Sequence, residues 1–171
     1  DFTVASTPRS LPDGNVIHGI DSIEALLPQA DLREAHGDDA VARVILSFDG
    51  GREDWTRRDH MLSELAHLVM GEPMPDATLM YVWDHRYPVG TVADNPHTRR
   101  VRKLVVQQGE AALNRWVEHS RDVHADFLAA FGRAPGPLTG IGIMTDTNNL
   151  GATANAWYGP LALRRAEPKA A

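Results

Sequence analysis

The stretch "GDDAVARVILSFDGG" (residues 37–51) decides the fold class. Its centre is rich in β-branched residues and is bounded on both sides by aspartate and glycine, a pattern that predicts a β-strand from about Val41 to Phe48. Val44, Leu46 and Phe48 would share one face of this strand, because successive side chains of a strand point to opposite faces. The middle of the chain is therefore predicted to be built around a strand with one apolar face.

Four further strands and two helices follow this strand. The strands are predicted in "DATLMYVWDH", which ends at Trp83 and Asp84, and in "RRVRKLVVQQ", "LTGIGIMTD" and "ANAWYGPLAL". "REDWTRRDHMLSELAHLVMG" predicts a helix, because its apolar residues recur at helical spacing and Gly71 suits its C-terminal cap. The apolar stripe of this helix consists of Met61, Leu62, Leu65, Leu68 and Val69. "EAALNRWVEHSRDVHADFLAAFG" predicts one helix, or a strand-like start that runs into a helix, and closes on Gly132.

The order of these elements is strand, helix, two strands, helix, two strands, which favours a mostly antiparallel sheet. At 171 residues the chain is predicted to form a single domain. Residues 1–16 are rich in proline, serine and aspartate and are predicted to be an irregular lead-in. After them, apolar residues recur at helical spacing until Pro28 interrupts the pattern; they are Ile20, Ile23, Leu26 and Leu27.

Composition excludes several classes of protein and site. The chain has 43% hydrophobic and 23% charged residues, values typical of a soluble globular protein. Its longest apolar runs fall far short of the about 20 residues that a membrane helix needs, so no membrane span is expected. The net charge of −6 argues against nucleic acid as a partner. The chain has no cysteine, which excludes disulfides and thiolate metal sites, and it contains neither a phosphate-binding loop nor a G-x-S-x-G motif.

Two groups of oxygen-bearing side chains are candidates for binding or chemistry. Asp38 and Asp39 precede the first predicted strand, and such adjacent carboxylates can hold calcium, divide the roles of acid and base, or simply start a strand from a turn. Arg43, on the second face of that strand, is expected to pair with a carboxylate of a neighbouring strand. Asp146 and Asn148 alternate in "MTDTNN", which is typical of calcium loops and also of Asx-rich turns. The candidate calcium ligands are therefore Asp39, Asp146 and Asn148.

Aromatic residues inside the predicted strands could stack against a sugar ring or fill the core. Trp83 and Trp157 are the candidate stacking platforms. Because Trp157 and Tyr158 are adjacent in a strand, they must lie on opposite faces, and one of them must point inward. The basic run "RRVRK" (residues 99–103) could bind phosphate or polyanions, but we favour an exposed edge strand protected by charge, because the protein is acidic and the run has no interleaved aromatics.

Five segments together resemble a known family. They are "DDAVARVILSFDG", "ATLMYVW", "RVRKLVV", "RDVHADFLAAFGRAPG" and "GIGIMTDTNNLGATANAWYG", in this order over residues 38–163. In this combination the chain resembles the uncharacterised bacterial domain-of-unknown-function family 3047. The family pattern near residue 146 reads more like D-T-D-N-T-G, so that Asn148 stands in place of a carboxylate and Leu150 in place of a hydroxyl. The resemblance implies an exported bacterial protein with a β-sandwich akin to carbohydrate-binding modules, and it implies no reaction.

We therefore expect a mainly β fold, an antiparallel β-sandwich of jelly-roll type with two helical insertions. Its inner faces would bury Val44, Leu46, Phe48, Leu79, Val105, Ile141, Ile143 and Leu161, or the residues immediately next to them. We expect a protein of the periplasm or a secreted protein. The chain begins at Asp1 with no visible signal peptide, which we interpret as a processed or trimmed N-terminus.

The expected function is a non-catalytic binding module for a saccharide or a cell-envelope glycan. The expected ligand-binding residues are Asp38, Asp39, Arg43, Trp83, Asp84, Asp146, Asn148 and Trp157, and a structural calcium ion is the candidate cofactor. One alternative is a hydrolase that uses a carboxylate pair drawn from Asp38, Asp39 and Asp146 as acid and base. Another alternative is a structural subunit of the cell envelope.

Overall fold

The computed structural model describes residues 2–5, 9–10, 16–17, 20–23, 26, 28–70 and 74–165. The described residues form twelve strands, two α-helices and a short 3₁₀ helix (Arg52–Asp54). The α-helices are α1 (Arg57–Met70) and α2 (Val123–Phe131). The strands are β1 (Phe2–Ala5), β2 (Arg9–Ser10), β3 (Val16–Ile17), β4 (Ile20–Ile23), β5 (Ala42–Phe48), β6 (Ala77–Asp84), β7 (Val92–Asp94), β8 (Val101–Gln108), β9 (Ser120–Asp122), β10 (Leu138–Thr145), β11 (Ala156–Tyr158) and β12 (Ala162–Arg165).

The central sheet has five strands in the order β10-β5-β6-β8-β7. All neighbours in it are antiparallel except β6 and β8, which run parallel. Residues 85–100 connect this pair, and a connection of about a dozen residues or more is what a parallel crossover needs. A mainly β protein with two helices is thus confirmed. The sheet is mixed, however, and a jelly-roll sandwich is not confirmed.

Strands also occur in the N-terminal part of the chain, where the sequence had predicted an irregular lead-in followed by helical spacing. β1 pairs with both β12 and β9, β4 pairs with β11, and β2 pairs with β3. The sequence prediction is wrong for these segments. For β1 and β4, pairing with strands more than a hundred residues away overrides a weak local pattern, whereas β2 and β3 pair locally with each other. The other residues of 1–16, together with Leu27, lie outside the described part of the chain.

The core lies on both faces of the central sheet. The larger cluster contains Leu46 of β5, Leu79 of β6 and Phe127 of α2. A smaller cluster on the opposite face contains Leu32 and Val105. The expected burial is confirmed for Val44, Leu46, Phe48, Leu79 and Val105, and Leu161 is half-buried.

The expected burial of Ile141 and Ile143 is wrong, since both side chains are exposed. They lie on β10, which forms the edge of the central sheet and pairs only with β5 within it. The sequence pattern of β10 identifies a strand but carries no information about whether a second layer covers it.

Helix α1 is confirmed as a helix, but its predicted apolar stripe does not face the core. Met61, Leu65 and Leu68 are exposed, and Leu68 has an exposed fraction of 82%. The helix instead turns Ser63 inward, where its hydroxyl accepts a hydrogen bond from the backbone N–H of Met74 at 3.2 Å. The side chain of Val69 and the predicted cap Gly71 lie outside the described residues.

Helix α2 follows directly from β9, which confirms the prediction of a strand-like start that runs into a helix. The Asp122 side chain caps its N-terminus by accepting a hydrogen bond from the backbone N–H of Ala125 at 3.0 Å. Gly132 ends the helix with φ of 70°, a left-handed conformation that glycine adopts without a Cβ penalty. Neither helix described here has the length and apolar character needed to cross a membrane.

Candidate functional site

The structure brings the two predicted groups of polar residues together. The Oδ2 atom of Asp39 accepts hydrogen bonds from the backbone N–H groups of Asn149 at 3.0 Å and Leu150 at 3.2 Å. The Nδ2 atom of Asn149 donates to Oδ1 of Asp38 at 3.0 Å. The turn after β10 is therefore held against the turn that precedes β5, although the two are more than a hundred residues apart in the sequence.

Arg43 lies between the carboxylates of these two turns. Its Nη2 atom is 3.2 Å from Oδ2 of Asp146 and 3.9 Å from Oδ1 of Asp39, and its Nε donates to the carbonyl of Ala40 at 3.0 Å. The prediction that Arg43 pairs with a carboxylate of a neighbouring strand is confirmed, since Asp146 follows directly on β10. Arg43 and Asp39 are both buried, Asp39 with an exposed fraction of 1%.

Lys103 of β8 also belongs to this group of polar side chains. Its Nζ donates to Oδ2 of Asp38 at 2.6 Å, to the carbonyl of Asp38 at 3.1 Å and to the carbonyl of Leu32 at 3.3 Å. The side chain is fully buried, and this burial lowers the pKa of Lys103 although its hydrogen bond to the Asp38 carboxylate opposes the shift. β8 also has neighbours on both sides, so the prediction of a charge-protected edge strand is wrong.

We call this group the Asp38–Asp146 network; its members are Asp38, Asp39, Arg43, Lys103, Asp146 and Asn149. The guanidinium group of Arg43 occupies the position between Asp39 and Asp146 that a calcium ion would need. Asn148, the third candidate calcium ligand, is exposed, and its backbone N–H donates to Oδ1 of Asp146 at 3.2 Å, as in an Asx turn. Among the described residues, no three His, Asp or Glu side chains are grouped so that they could hold a metal ion.

The cavity described beside this network is small. A cavity of about 10 Å³ lies beside Asp39 and is also lined by Trp83, Asp84 and His85. Such a volume is at the lower limit of what one water molecule occupies. The contacts of the network therefore hold the two turns together, and the cavity next to Asp39 is far too small for a sugar ring.

The remaining predicted site residues do not form an accessible site, although Trp83 and Asp84 both line the small cavity beside Asp39. Trp83 is buried with an exposed fraction of 1%, and its Nε1 donates to the carbonyl of Gly109 at 3.0 Å, so its ring faces are not accessible to a ligand. Asp84 is buried and caps the following turn by accepting the backbone N–H of Arg86 at 2.8 Å. Trp157 is exposed at 43%, and its neighbour Tyr158 is the half-buried one of the pair.

A larger cleft opens beyond the C-terminal end of β5, opposite to the Asp38–Asp146 network along that strand. Its volume is about 630 Å³. The walls come from the residues that flank the 3₁₀ helix and from the start of α1, from the segment that leads into β8, and from the end of α2. The lining residues that matter for binding are Trp55, Arg58, Asp59, Asp76, His97, Arg99, Arg100, Arg102, Phe131 and Arg133. We call this pocket the arginine cleft.

Aromatic rings position several of these arginines. The ring of Trp55 has Arg52 at 5.2 Å and Arg100 at 5.0 Å from its centroid. The ring of Phe131 has Arg102 at 5.5 Å and Arg133 at 5.9 Å. Distances below about 6 Å allow a favourable cation–π interaction. The rings therefore contact guanidinium groups.

The approach of Arg133 depends on a glycine. Gly51 has φ of 90°, and a Cβ atom added there would lie 2.3 Å from Nη2 of Arg133. Arg133 also donates to the carbonyl of Gly50 at 3.3 Å. The two consecutive glycines after β5 thus leave the space in which this guanidinium group lies.

Both carboxylates of the cleft are engaged in ion pairs. Oδ1 of Asp59 lies 3.3 Å from Nε of Arg100, and Oδ1 of Asp76 lies 2.7 Å from Nε of Arg52. Hydrogen bonds from the Thr56 side chain and backbone, with a contribution from Arg100, lower the pKa of Asp59 although partial burial opposes the shift. This carboxyl group is therefore ionised at neutral pH.

Two hydrogen-bond donors of the cleft are buried without an acceptor among the described residues, namely Nε1 of Trp55 and Nε of Arg100. The Arg100 side chain is only 10% exposed, and its contact with Asp59 does not have the geometry of a hydrogen bond. Buried donors of this kind usually find a partner. Their presence in the wall of a cleft is a reason to consider it as a binding site.

Two sequence signals point to the cleft in retrospect, namely the motif at the start of α1 and the basic run at residues 99–103. "TRRD" (residues 56–59) is a capping box in which Thr56 Oγ1 accepts from the backbone N–H of Asp59 at 3.2 Å, while the Asp59 carboxylate accepts from the backbone N–H of Thr56 at 3.0 Å. This motif fixes the start of α1 beside the basic run at residues 99–103. The joining of these segments with the end of α2 depends on tertiary packing, which no local pattern reveals.

The comparisons with known proteins give a family. A family model described as "Protein of unknown function (DUF3047)" matches residues 22–162, which is most of the chain. A search among curated proteins and a search among solved structures each found no match. The chain therefore belongs to the DUF3047 family of proteins of unknown function.

Proposed function

We propose that the protein is a non-catalytic binding module whose ligand is a saccharide or a cell-envelope glycan, held in the arginine cleft. The volume and the lining groups of the cleft support this proposal. Its volume of about 630 Å³ lies within the range of roughly 300–1,000 Å³ that is typical of small-molecule sites. Its wall offers many hydrogen-bond donors together with carboxylate acceptors, and the hydroxyl groups of a sugar can bond to both kinds of group.

The state of the carboxylates supports binding over catalysis. A glycosidase needs a carboxylic acid that is protonated near neutral pH, and the pKa of such a group is raised. In the cleft, the pKa of Asp59 is lowered instead, and Asp76 is paired with Arg52 at 2.7 Å. Asp59 is therefore suited to accept hydrogen bonds and unsuited to donate a proton, and Asp76 already accepts a hydrogen bond from Arg52.

One observation favours the hydrolase as a second candidate. Oδ1 of Asp39 lies 3.9 Å and Oδ2 of Asp146 lies 3.2 Å from the same guanidinium nitrogen, so these two oxygens are closer together than the upper limit of about 10 Å found between glycosidase carboxylates. Against it, Asp39 is buried, and the cavity beside it is about 10 Å³. The alternative of an envelope subunit is supported by the exposed apolar residues of α1, and the mass of the native particle in solution would test it.

A periplasmic or secreted location belongs to the same proposal, because envelope glycans are found there. A likeness of the fold to the β-sandwich of carbohydrate-binding modules is also part of this proposal, although the argument for binding does not depend on it. The location can be checked by fractionating cells that produce the full-length protein.

A glycan array followed by calorimetry tests the binding function. We expect wild-type protein to bind a saccharide both with and without a chelator, since no three His, Asp or Glu side chains among the described residues are grouped so that they could hold a metal ion. Trp55→Ala should abolish binding by releasing the arginines on its ring, whereas Trp157→Ala should leave it intact. Loss of binding in Trp157→Ala alone would place the ligand at the strand ends. If no saccharide binds the wild type, the proposed function is wrong.

A further inference from the structure

We infer that the ligand of the arginine cleft carries an anionic group, a carboxylate or a phosphate, and that Arg58 and Arg99 contact this group. That the ligand is a glycan rests on the proposed function. The chemistry that it names, recognition of an oxyanion by guanidinium groups, stands on the charges and contacts of the cleft.

The charge balance of the cleft is positive although the whole chain carries a net charge of −6. Five arginines and two aspartates line it. One aspartate, Asp76, is already paired with Arg52, which lies outside the lining. The cleft therefore concentrates positive charge on an acidic protein, and charged clefts raise the local concentration of ligands of the opposite sign.

Three of the five arginines are held in place by other groups. Arg100 donates to the carbonyl of Pro75 at 3.2 Å, Arg102 donates to the carbonyl of Arg99 at 2.8 Å, and Arg133 donates to the carbonyl of Gly50 at 3.3 Å. Each of the three also lies over an aromatic ring. Their positions are thus set before a ligand arrives, which reduces the entropy lost on binding.

Arg58 and Arg99 differ from these three. Both side chains are exposed, and none of the described carboxylates forms an ion pair with either of them. An arginine presents a planar fork of N–H donors that matches two oxygens of a carboxylate or phosphate. These two side chains can therefore meet an oxyanion without first breaking an ion pair.

The aromatic residues of the cleft favour a charged ligand over a neutral sugar that stacks on a ring. A stacking platform needs a free ring face. Here Trp55 lies against Arg52 and Arg100, and Phe131 lies against Arg102 and Arg133. The groups that a ligand meets first are guanidinium groups.

The test compares ligands that differ in charge and share the sugar. The probes for calorimetry are oligogalacturonate, its methyl-esterified neutral form, inorganic phosphate and a single-stranded oligonucleotide. We expect the wild type to bind oligogalacturonate at least about 10-fold more tightly than the ester, with an affinity that falls as salt is added. Displacement of oligogalacturonate by inorganic phosphate would identify phosphate as the preferred oxyanion, and its absence would identify carboxylate.

The matched variants are Arg58→Gln and Arg99→Gln, with Arg115→Gln as control. Arg115 is also exposed and lies outside the lining of the cleft. A hydrogen bond to a charged group corresponds to a change in affinity of about 10- to 100-fold. We expect a loss of this size for the first two variants, no change for the control, and unchanged thermal unfolding for all three.

Each outcome separates the two proposals. Equal binding of oligogalacturonate and its ester overturns the anionic inference and leaves the glycan function standing. Arginine-dependent binding of phosphate without binding of any saccharide overturns the function and supports the anionic site. Tightest binding of the oligonucleotide overturns the glycan function, supports the oxyanion site and assigns the cleft to nucleic acid. Binding that is unchanged in Arg58→Gln and Arg99→Gln shows that the oxyanion lies elsewhere.

Discussion

Replacement of Lys103 by methionine isolates the buried charge pair of the Asp38–Asp146 network. Methionine has a similar length and fills the space of the lysine stem, so that little cavity forms. What is lost is the ammonium group, which donates to one carboxylate oxygen and two backbone carbonyls within 3.3 Å. Lys103→Met therefore leaves the Asp38 carboxylate with Asn149 as its remaining side-chain donor in the described structure.

The magnitude follows from the burial of both partners. The side chain of Lys103 is 1% exposed and that of Asp38 is 11% exposed. Removing one member of a buried ion pair costs about 3–5 kcal/mol, because the other charge stays buried without compensation. Burial disfavours the charged form of Lys103 and lowers its pKa. Removal of the ammonium group also removes this desolvation penalty, which offsets part of the loss. We expect a loss near 3 kcal/mol from a total free energy of unfolding of about 5–15 kcal/mol.

Urea unfolding followed by tryptophan fluorescence and far-UV circular dichroism measures this loss. The matched control is Arg86→Met, which removes a half-exposed ion pair with Asp31 and should cost less than about 1 kcal/mol. The double variant with Asp38→Asn should lose less than the sum of the two single variants, because the two groups interact directly. If Lys103→Met costs no more than Arg86→Met, the buried pair does not contribute as described.

Three further expectations follow from the fold. Burial raises the pKa of Tyr81 above 10.0, so the neutral phenol favours the folded state. The free energy of unfolding therefore has its full value below pH 10 and decreases as the pH rises above it. Urea midpoints between about pH 8 and about pH 11 should fall less steeply in Tyr81→Phe than in the wild type. Gly51→Ala and Gly90→Ala both place alanine at φ near 90° and should each cost about 1 kcal/mol in urea unfolding. Only the first displaces Arg133, so calorimetry should show weaker oxyanion binding for Gly51→Ala alone. Leu68→Ala should change the unfolding free energy by less than about 0.5 kcal/mol, against about 2–5 kcal/mol for a buried leucine, and a larger loss would mean that α1 packs through this residue.

The local elements of the fold could be predicted from the sequence. β5, β6, β8 and β10 have dense β-branched or alternating patterns, and α2 has an N-cap aspartate and a terminal glycine. These signals lie within a few residues of each other, so they do not depend on the rest of the chain. Asp39 and Asp146 were named as candidate site residues from the sequence, and in the structure both lie within 4 Å of the same guanidinium nitrogen of Arg43.

The surroundings of each element could not be predicted in the same way. Leu68 and Ile143 both have apolar neighbours at regular spacing, yet neither is covered, because burial depends on which element packs on top. Lys103 looked like part of a charged edge, but its strand has neighbours on both sides. The arginine cleft joins segments from residues 51 to 133, and only the tertiary fold shows that they share one pocket.

The contact between the turns at residues 38–39 and 149–150 also has a consequence for how the chain folds. The hydrogen bonds from Asn149 and Leu150 to Asp39 span 110 and 111 residues. Closing a loop of this length slows the formation of the contact, and proteins rich in such pairings fold slowly. During synthesis, a chain that ends before residue 146 would lack the partners of Asp39 and Arg43, and neither group could be buried at low cost. We expect the central sheet to reach its final packing only after the segment that follows β10 has left the ribosome, so this late segment controls when the buried charges of Asp39 and Arg43 are paired.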